Sequence, residues 1–162
     1  MSICLGKWVT LDLETTGLSS QIDDIIEVAA VRFENGEVVG TLSTLVKPKY
    51  GYIPSEITEL TGITEEDVKD APDLVDIVHK LVDFLGSDPL VGQNIPFDLG
   101  FLTNNTKTKD HFDRNKLIRR SHDTSLLSRF IFPCIDAYNL KFLCNMMNIK
   151  VVPASMMRIL LF

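Results

Sequence analysis

The stretch that decides the fold is Trp8-Val9-Thr10-Leu11-Asp12-Leu13-Glu14-Thr15-Thr16-Gly17-Leu18. Apolar and polar residues alternate through its first half, and this period of two predicts a strand that ends in a polar turn. Because side chains two apart on a strand share a face, Asp12 and Glu14 project from the same side. Two neighbouring carboxylates repel each other unless a cation lies between them. The pattern therefore indicates either a cation site or a solvated edge strand with two surface acids.

The composition indicates one acidic domain. The chain has 162 residues, 45% of them hydrophobic, and a net charge of −6, which suits a single domain over 1–162 with a sizeable core. This charge disfavours tracking along long duplexes, because that mode of binding needs many phosphate contacts. It does not exclude binding of a short nucleic-acid end through metal ions.

The cysteines and the apolar runs predict the compartment. Cys4, Cys134 and Cys144 are odd in number and widely spaced, which favours a reducing, cytoplasmic environment over a disulfide scaffold or a zinc site. We expect no signal peptide, because the first seven residues lack a charged start before an apolar run. We also expect no membrane partner, since no apolar run approaches the roughly 18 residues that a spanning helix needs.

The rest of the chain alternates between strand and helix signals. Asn35-Gly36 favours a tight hairpin, and the spacing of leucines and valines between Ala71 and Gly86 predicts a helix with one buried face. In the predicted helix over 138–149, Leu140, Leu143 and Met147 are expected to face inward. In chain order, the predicted strands lie at 8–14, 25–33, 38–46, 90–92 and 116–118, and the predicted helices begin near residues 55, 65, 73, 98, 125, 138 and 153.

Two further carboxylates have two interpretations each. Asp98 falls in the first turn of a helix that begins beyond the strand at 90–92. It either only favours the helix dipole or adds a third carboxylate to Asp12 and Glu14, because sites in open α/β sheets form outside strand ends. Asp123 either caps the next helix or supplies a fourth carboxylate, and we expect the cap because Asp is a preferred N-cap residue.

Motifs in a fixed order carry a family resemblance. They are DLETTG at 12–17, LTGIT at 60–64 and VGQNIPFD at 91–98. From about residue 8 to 155 the sequence resembles the DnaQ-like (DEDDh) 3′–5′ exonucleases, which include the proofreading epsilon subunit of bacterial DNA polymerase III and the exonuclease module of PolC-type polymerases. The resemblance implies an α/β, ribonuclease H-like fold: a mixed five-stranded sheet with helices on both faces.

The resemblance also implies a site. Asp12, Glu14 and Asp98 match catalytic carboxylates that hold two divalent ions, Mg²⁺ or Mn²⁺, which stabilise the attacking water and the leaving 3′ oxygen. The implied substrate is the 3′ end of single-stranded DNA or RNA, with a DNA polymerase as a further partner. The implied substrate-binding residues are Thr15, Thr16, Gly17, Gln93 and Asn94.

The sequence departs from the family pattern at the third motif. The family has a His, four intervening residues and an Asp, whereas Met157 and Phe162 stand at those positions here, and Gln93 replaces a His in the second motif. Neither Met157 nor Phe162 can accept a proton or bind Mg²⁺ through oxygen. Two interpretations follow. The chain is an exonuclease with a truncated or altered C-terminal helix and impaired activity, or it is a non-catalytic module that binds nucleic-acid ends or another protein.

Overall fold

The computed structural model describes residues 6–105, 108 and 110–149. These residues form five strands and seven helices. The strands are β1 (Lys7–Thr15), β2 (Ile25–Glu34), β3 (Glu37–Leu45), β4 (Leu90–Gly92) and β5 (Ser121–Asp123). The helices are α1 (Ser55–Thr61), α2 (Glu65–Val68), α3 (Leu74–Leu85), α4 (Ile95–Asn104), α5 (Arg114–Arg119), α6 (Thr124–Ile131) and α7 (Leu140–Met146).

The strands form one mixed sheet in the order β3-β2-β1-β4-β5. β1 is the central strand: it pairs antiparallel with β2 and parallel with β4, and β4 pairs parallel with β5. The hairpin between β2 and β3 turns at Asn35 and Gly36, which both have positive φ, as a tight hairpin turn of this kind requires. The mixed five-stranded sheet is confirmed.

Alternation along β1 sorts its side chains between the two faces of the sheet. Val9, Leu11 and Leu13 are buried in the main core. Asp12 and Glu14, on the other face, are half-buried. The strand therefore holds apolar residues against the core while it presents two carboxylates on the opposite side, as the period of two predicts.

Helices pack on both faces of the sheet. The main core joins β1 and β2 to α3, α4 and α5, and α3 alone buries five apolar residues there: Leu74, Ile77, Val78, Leu81 and Leu85. A second, smaller cluster joins Ile26 of β2 to Ile63 and to Val68 of α2. Ile25 belongs to the main core and its neighbour Ile26 to the second cluster, because adjacent strand residues point to opposite faces.

Two predicted elements are wrong in type or extent. The strand expected at Lys116–Ile118 lies within α5, because Asp113 caps that helix by accepting from the backbone N–H of Lys116 at 3.1 Å. The strand is instead β5, three mainly polar residues that pair with β4. Met147, expected inward, is 44% exposed, because α7 ends at Met146 and buries Leu143 and Cys144.

Several predictions concern the ends of the chain and its surroundings. The helix expected from residue 153 and the third-motif positions Met157 and Phe162 lie outside the described residues, as does Cys4. Cys134 and Cys144 are free thiols. Within the described ranges, we find no helix whose length and apolar character would allow it to span a membrane.

Candidate active site

The site lies where β4 ends beside the middle of β1. β4 pairs with Val9 and Thr10 of β1 and stops at Gly92. A Cβ atom on Gly92 would lie 2.9 Å from the carbonyl oxygen of Leu11, so only glycine allows the two strands to approach this closely. The chain then turns at Asn94, which has φ 57°, and enters α4 at Ile95. This short path places the first turn of α4 against the edge of β1 that β4 leaves uncovered.

Asp98 occupies that edge. Its side chain lies in the first turn of α4 and the residue is only 3% exposed. Its Oδ1 accepts a hydrogen bond from the backbone N–H of Leu13 at 2.9 Å. β4 ends at Gly92 and pairs on β1 only with Val9 and Thr10, so it offers no carbonyl to the N–H of Leu13. A buried N–H without an acceptor would be destabilising, and the Asp98 carboxylate is the acceptor instead. The bond fixes Asp98 between Asp12 and Glu14 along the strand.

Carboxylates dominate the electrostatics of the site formed by Asp12, Glu14 and Asp98, which we call the carboxylate corner. Burial raises the pKa of Asp98 to about 8, and the neighbouring Asp12 carboxylate adds to the rise, with a smaller contribution from Glu14. The hydrogen bond from Leu13 acts in the opposite direction, because it stabilises the ionised form. A carboxyl group held near two others and away from water is a group that a cation would ionise.

The turn after β1 is held by short-range hydrogen bonds. The Thr15 hydroxyl donates to the Gly17 carbonyl at 2.6 Å. The Thr16 hydroxyl accepts from the backbone N–H of Asp24 at 2.9 Å, while the Thr16 N–H donates to the Asp24 carbonyl at 2.8 Å. A Cβ on Gly17 would lie 2.4 Å from the Asp23 carboxylate, so a larger residue there would displace this side chain, which accepts from the N–H of Ser19 at 2.8 Å. Thr15, Thr16 and Gly17 thus form a fixed ledge directly beyond Glu14.

Gln93 and Asn94 occupy the other side of the corner, but the Gln93 side chain has structural partners. Its Nε2 donates to the carbonyl of Tyr138 at 2.8 Å, and its Oε1 accepts from the Thr124 hydroxyl at 2.6 Å. Gln93 therefore connects the loop before α4 to α6 and to the segment before α7. Asn94 is exposed, with no side-chain capping bond to α4.

Asp123 is a helix cap with a second role. Its Oδ1 accepts from the N–H of Ser125 at 2.8 Å, which caps α6 as expected. The same oxygen accepts from the backbone N–H of Asn94 at 2.9 Å. Asp123 therefore stabilises the left-handed turn that leads into α4 and Asp98. No local pattern in the sequence indicates this second partner, which lies 29 residues away.

The fit of these residues to divalent ions can be judged from donor type and charge. Asp12, Glu14 and Asp98 offer only carboxylate oxygens, the ligands that Mg²⁺ and Mn²⁺ prefer. Their mutual repulsion favours a cation. Among the residues that the structure describes, however, no three acidic, imidazole or thiol side chains stand in a metal-binding arrangement. The donor set fits the ions in chemistry, and its side chains would have to reorient to bind them.

Comparison with known proteins identifies the class. Residues 9–154 match the exonuclease family (RNase_T), so the chain belongs to that family. It is 38% identical over 143 residues to the PolC-type DNA polymerase III of Bacillus subtilis, covering 88% of this chain and 10% of the relative. It is 35% identical over 136 residues to the DNA polymerase III epsilon subunit of Aquifex aeolicus, covering 84% of this chain and 65% of that subunit. The chain thus spans about a tenth of the PolC-type relatives that it matches.

Solved structures agree with this class. Exonuclease X, in complex with 5′ overhanging duplex DNA, shares 26% identity and a TM-score of 0.68, covering 89% of this chain and 75% of that one. Exonuclease I, in an E. coli complex with a dA16 oligonucleotide, gives a TM-score of 0.74 at 19% identity, covering 90% and 37%, which supports the fold alone. The DnaQ-like resemblance and the ribonuclease H-like fold are therefore confirmed.

Proposed function

We propose that this chain is a 3′–5′ exonuclease domain that hydrolyses the terminal phosphodiester bond of a nucleic acid, and that Asp12, Glu14 and Asp98 are its catalytic, metal-binding residues. The observation that carries the proposal is the buried Asp98 carboxyl, whose pKa is raised by burial and by the neighbouring acids. A structural carboxylate is normally paired with a cationic group. A carboxyl placed against two other acids instead is typical of a functional site.

Each residue has a proposed role. Asp12, Glu14 and Asp98 would hold two divalent ions, Mg²⁺ or Mn²⁺, which when bound activate water and neutralise the leaving 3′ oxygen. The ledge formed by Thr15, Thr16 and Gly17 would receive the terminal 3′-hydroxyl. Asp98 accepts from the Leu13 N–H, so it would keep its position beside β1, and the reorientation that ion binding needs would fall to Asp12 and Glu14. Asn94 would contact the substrate, and Gln93 would position Asn94 through its bonds to Thr124 and Tyr138.

The third motif limits this chemistry. The positions where the family has a general base and a fourth carboxylate are Met157 and Phe162. Loss of a positioned general base lowers a rate by about 10²–10⁴-fold, and loss of a carboxylate ligand weakens the ion that it holds. We propose that hydrolysis by this chain is strongly impaired for that reason.

The test is degradation of a labelled single-stranded oligonucleotide with Mg²⁺. We expect the unmodified chain to release mononucleotides barely above background. Replacement of Met157 by His and Phe162 by Asp, within a family-like final helix, should restore release from the 3′ end by about 10²–10⁴-fold. In that restored protein, Asp98→Ala should abolish release, while Asp76→Ala on the outer side of α3 should leave it unchanged. Strong activity of the unmodified chain that Asp12→Ala abolishes would contradict the third-motif alignment, and Asp123 would then be the first residue to test.

A second candidate function is a non-catalytic module that binds nucleic-acid ends. It is favoured by Met157 and Phe162, and by the absence of a ready three-ligand cluster among the described residues. This candidate predicts binding of 3′ ends with no product even after the two substitutions. The restored protein therefore decides between the candidates.

The proposed partner is a DNA polymerase. The PolC-type and epsilon relatives carry the polymerase III name, and a proofreading domain needs access to the primer end that a polymerase extends. We propose that this chain acts on such ends beside a polymerase.

A further inference from the structure

The loop after β3 carries two strongly exposed tyrosines. Its sequence from 47 to 52 is Lys-Pro-Lys-Tyr-Gly-Tyr, and we call this segment the tyrosine loop. Tyr50 is 80% exposed and Tyr52 is 62% exposed, while Pro48 between the two lysines is buried. Both lysines are exposed, in a chain whose net charge is −6. Exposed aromatic rings beside lysines are the features by which proteins stack and hold single-stranded nucleic acids.

The loop is held rigidly although its tyrosines are exposed. The N–H of Lys47 donates to the carbonyl of Pro72 at 3.0 Å. The N–H of Gly51, which has φ 65°, donates to the carbonyl of Pro48 at 3.0 Å, closing a tight turn around Tyr50. After the loop, the N–H of Ile53 donates to Glu65 at 3.2 Å, and Ile53 is buried in the second apolar cluster. Because the backbone is fixed, little conformational entropy would be lost when a base stacks on the rings.

A hydrogen-bonded path connects this loop to the candidate active site. Asp24 accepts from the N–H of Lys49 at 2.9 Å through its side chain, and its backbone pairs with Thr16 at 2.8 Å and 2.9 Å. Thr16 lies two residues beyond Glu14, a separation of at most about 7 Å. The tyrosine loop therefore borders the ledge that we propose for the 3′ end. In these bonds one acid contacts the tyrosine loop. That acid is Asp24, whose carboxylate already accepts from the backbone N–H of Lys49.

The charges of the loop suit a strand that approaches this ledge. The Nζ of Lys49 lies over one face of the Tyr50 ring, 4.9 Å from its centre, so a base would stack on the opposite face of the ring, close to this cation. A base on the ring would place its own phosphate within reach of that cation. The acidic remainder of the chain repels nucleic acid, so binding would concentrate where lysines and rings occur together.

We infer that the tyrosine loop binds the single strand on the 5′ side of its terminal nucleotide, with bases stacked on Tyr50 and Tyr52 and phosphates near Lys47 and Lys49. The inference rests on the proposed function, because it takes the strand to be the same substrate. It adds a binding surface outside the carboxylate corner. It also predicts that affinity depends on strand length, since a strand of a few nucleotides would reach the ledge but not both rings.

Binding of fluorescent oligothymidylates to the full chain, in EDTA and at low salt, tests the inference. Strands of about four and about sixteen nucleotides cover the short and long limits of typical single-strand sites. The double variant Tyr50→Ala/Tyr52→Ala removes two stacking rings and should lose about 30-fold or more in affinity for the long strand, and little for the short one. Tyr50→Phe/Tyr52→Phe should retain wild-type affinity, because stacking needs the ring and not the hydroxyl. Lys47→Ala/Lys49→Ala should lower the salt dependence by about one to two phosphate contacts.

The control is Phe130→Ala. Phe130 is 88% exposed on α6, which follows β5 at the other edge of the sheet, so the control removes an equally exposed ring elsewhere. Photo-crosslinking of a bromouracil strand should label the peptide that contains 47–52. Equal affinity of the alanine double variant and the wild type, or crosslinks that all lie outside this peptide, would overturn the inference.

A strand that ends in a 3′-phosphate tests the proposed function separately. If this strand binds as tightly as a strand with a 3′-hydroxyl, the ledge does not receive the 3′-hydroxyl and that part of the proposed function is wrong. The result for the tyrosine variants does not depend on this outcome.

Discussion

Helices α3 and α6 both have an apolar face, but only α3 buries its apolar face against the sheet. α3 buries its stripe against β1 and β2, and its outer face is mostly polar. α6 has a similarly amphipathic sequence, yet Leu126, Leu127, Phe130 and Ile131 are 48–88% exposed. Together with α7 it borders an apolar groove of about 350 Å³ lined by Leu127, Ile131, Leu143 and Cys144. An amphipathic pattern therefore predicts a helix and a face, but not what covers that face.

The same difference in packing distinguishes the surroundings of Asp98 from those of the apolar groove. The carboxylate corner depends on α4, which is packed into the same core as α3, so Asp98 is held by a well-packed scaffold. The groove lies on the side that leads to residue 149, where the described part ends. Asp98 is therefore held by the packing of α4 into the main core, whereas the groove is bordered by α6 and α7 beside the end of the described part.

The largest expected difference between the two helices is in stability. Leu81→Ala on α3 removes a fully buried side chain and should lower the free energy of unfolding by about 2–5 kcal/mol. Leu127→Ala on α6 should change it by no more than about 0.5 kcal/mol, because its side chain is half exposed. Urea denaturation followed by the fluorescence of Trp8 measures both. Equal losses would show that α6 is as well covered as α3.

A smaller effect is expected at Asp98, where the free energy of unfolding should depend on pH. The pKa of Asp98 is raised from 3.8 to about 8 in the folded chain, so the folded state binds this proton more tightly than the unfolded state. Its contribution to stability is fully present below pH 3.8 and is lost as the pH rises through about 8. In EDTA, Asp98→Asn should therefore stabilise the chain by about 1–3 kcal/mol at pH 8 and by almost nothing near pH 4.

The control for this prediction is Asp76→Asn, at an exposed acid on α3, which should change stability equally at both pH values. Addition of Mn²⁺ at pH 8 should raise the melting temperature of the wild type and leave that of Asp98→Asn unchanged, because a ligand that binds only the folded state stabilises it. If Asp98→Asn has the same stability as the wild type at pH 8, the Asp98 carboxylate is not strained by its acidic neighbours.

The sequence predicts the elements that have strong periodicity. The alternation in β1, the Asn35-Gly36 turn and the stripe of α3 each express a local rule, and the structure follows them. β5 could not be predicted, since three polar residues carry no period and become a strand only by pairing with β4. The sequence favours a strand where α5 lies because Leu117 is the one residue that this helix buries, so no helical stripe marks it.

At the site, the limit of prediction is distance along the chain. The side-by-side placement of Asp12 and Glu14 follows from strand geometry alone. The bond between Asp98 and Leu13 spans 85 residues. The bond between Gln93 and Tyr138 spans 45 residues, and the bond from the N–H of Asn94 to Asp123 spans 29. Each depends on where separate elements meet in space. The family motifs indicate Asp98, but only the fold assigns structural partners to Gln93.

Substitutions in the apolar groove should have the smallest effect on the free energy of unfolding. They should instead change how the molecules associate with each other. No described residue covers the face formed by Leu127, Ile131 and Met147, and an apolar surface of this kind promotes contact between molecules. We expect light scattering to show a mass that rises with concentration. Leu127→Lys/Ile131→Lys should keep the chain monomeric while its unfolding free energy stays within about 0.5 kcal/mol of the wild type, because both side chains are largely exposed. Val75→Lys, on the exposed side of α3, adds the same kind of charge elsewhere and should not prevent association. A wild-type chain that stays monomeric at high concentration would contradict the expectation, and α6 would then resemble α3 more closely than its exposed side chains indicate.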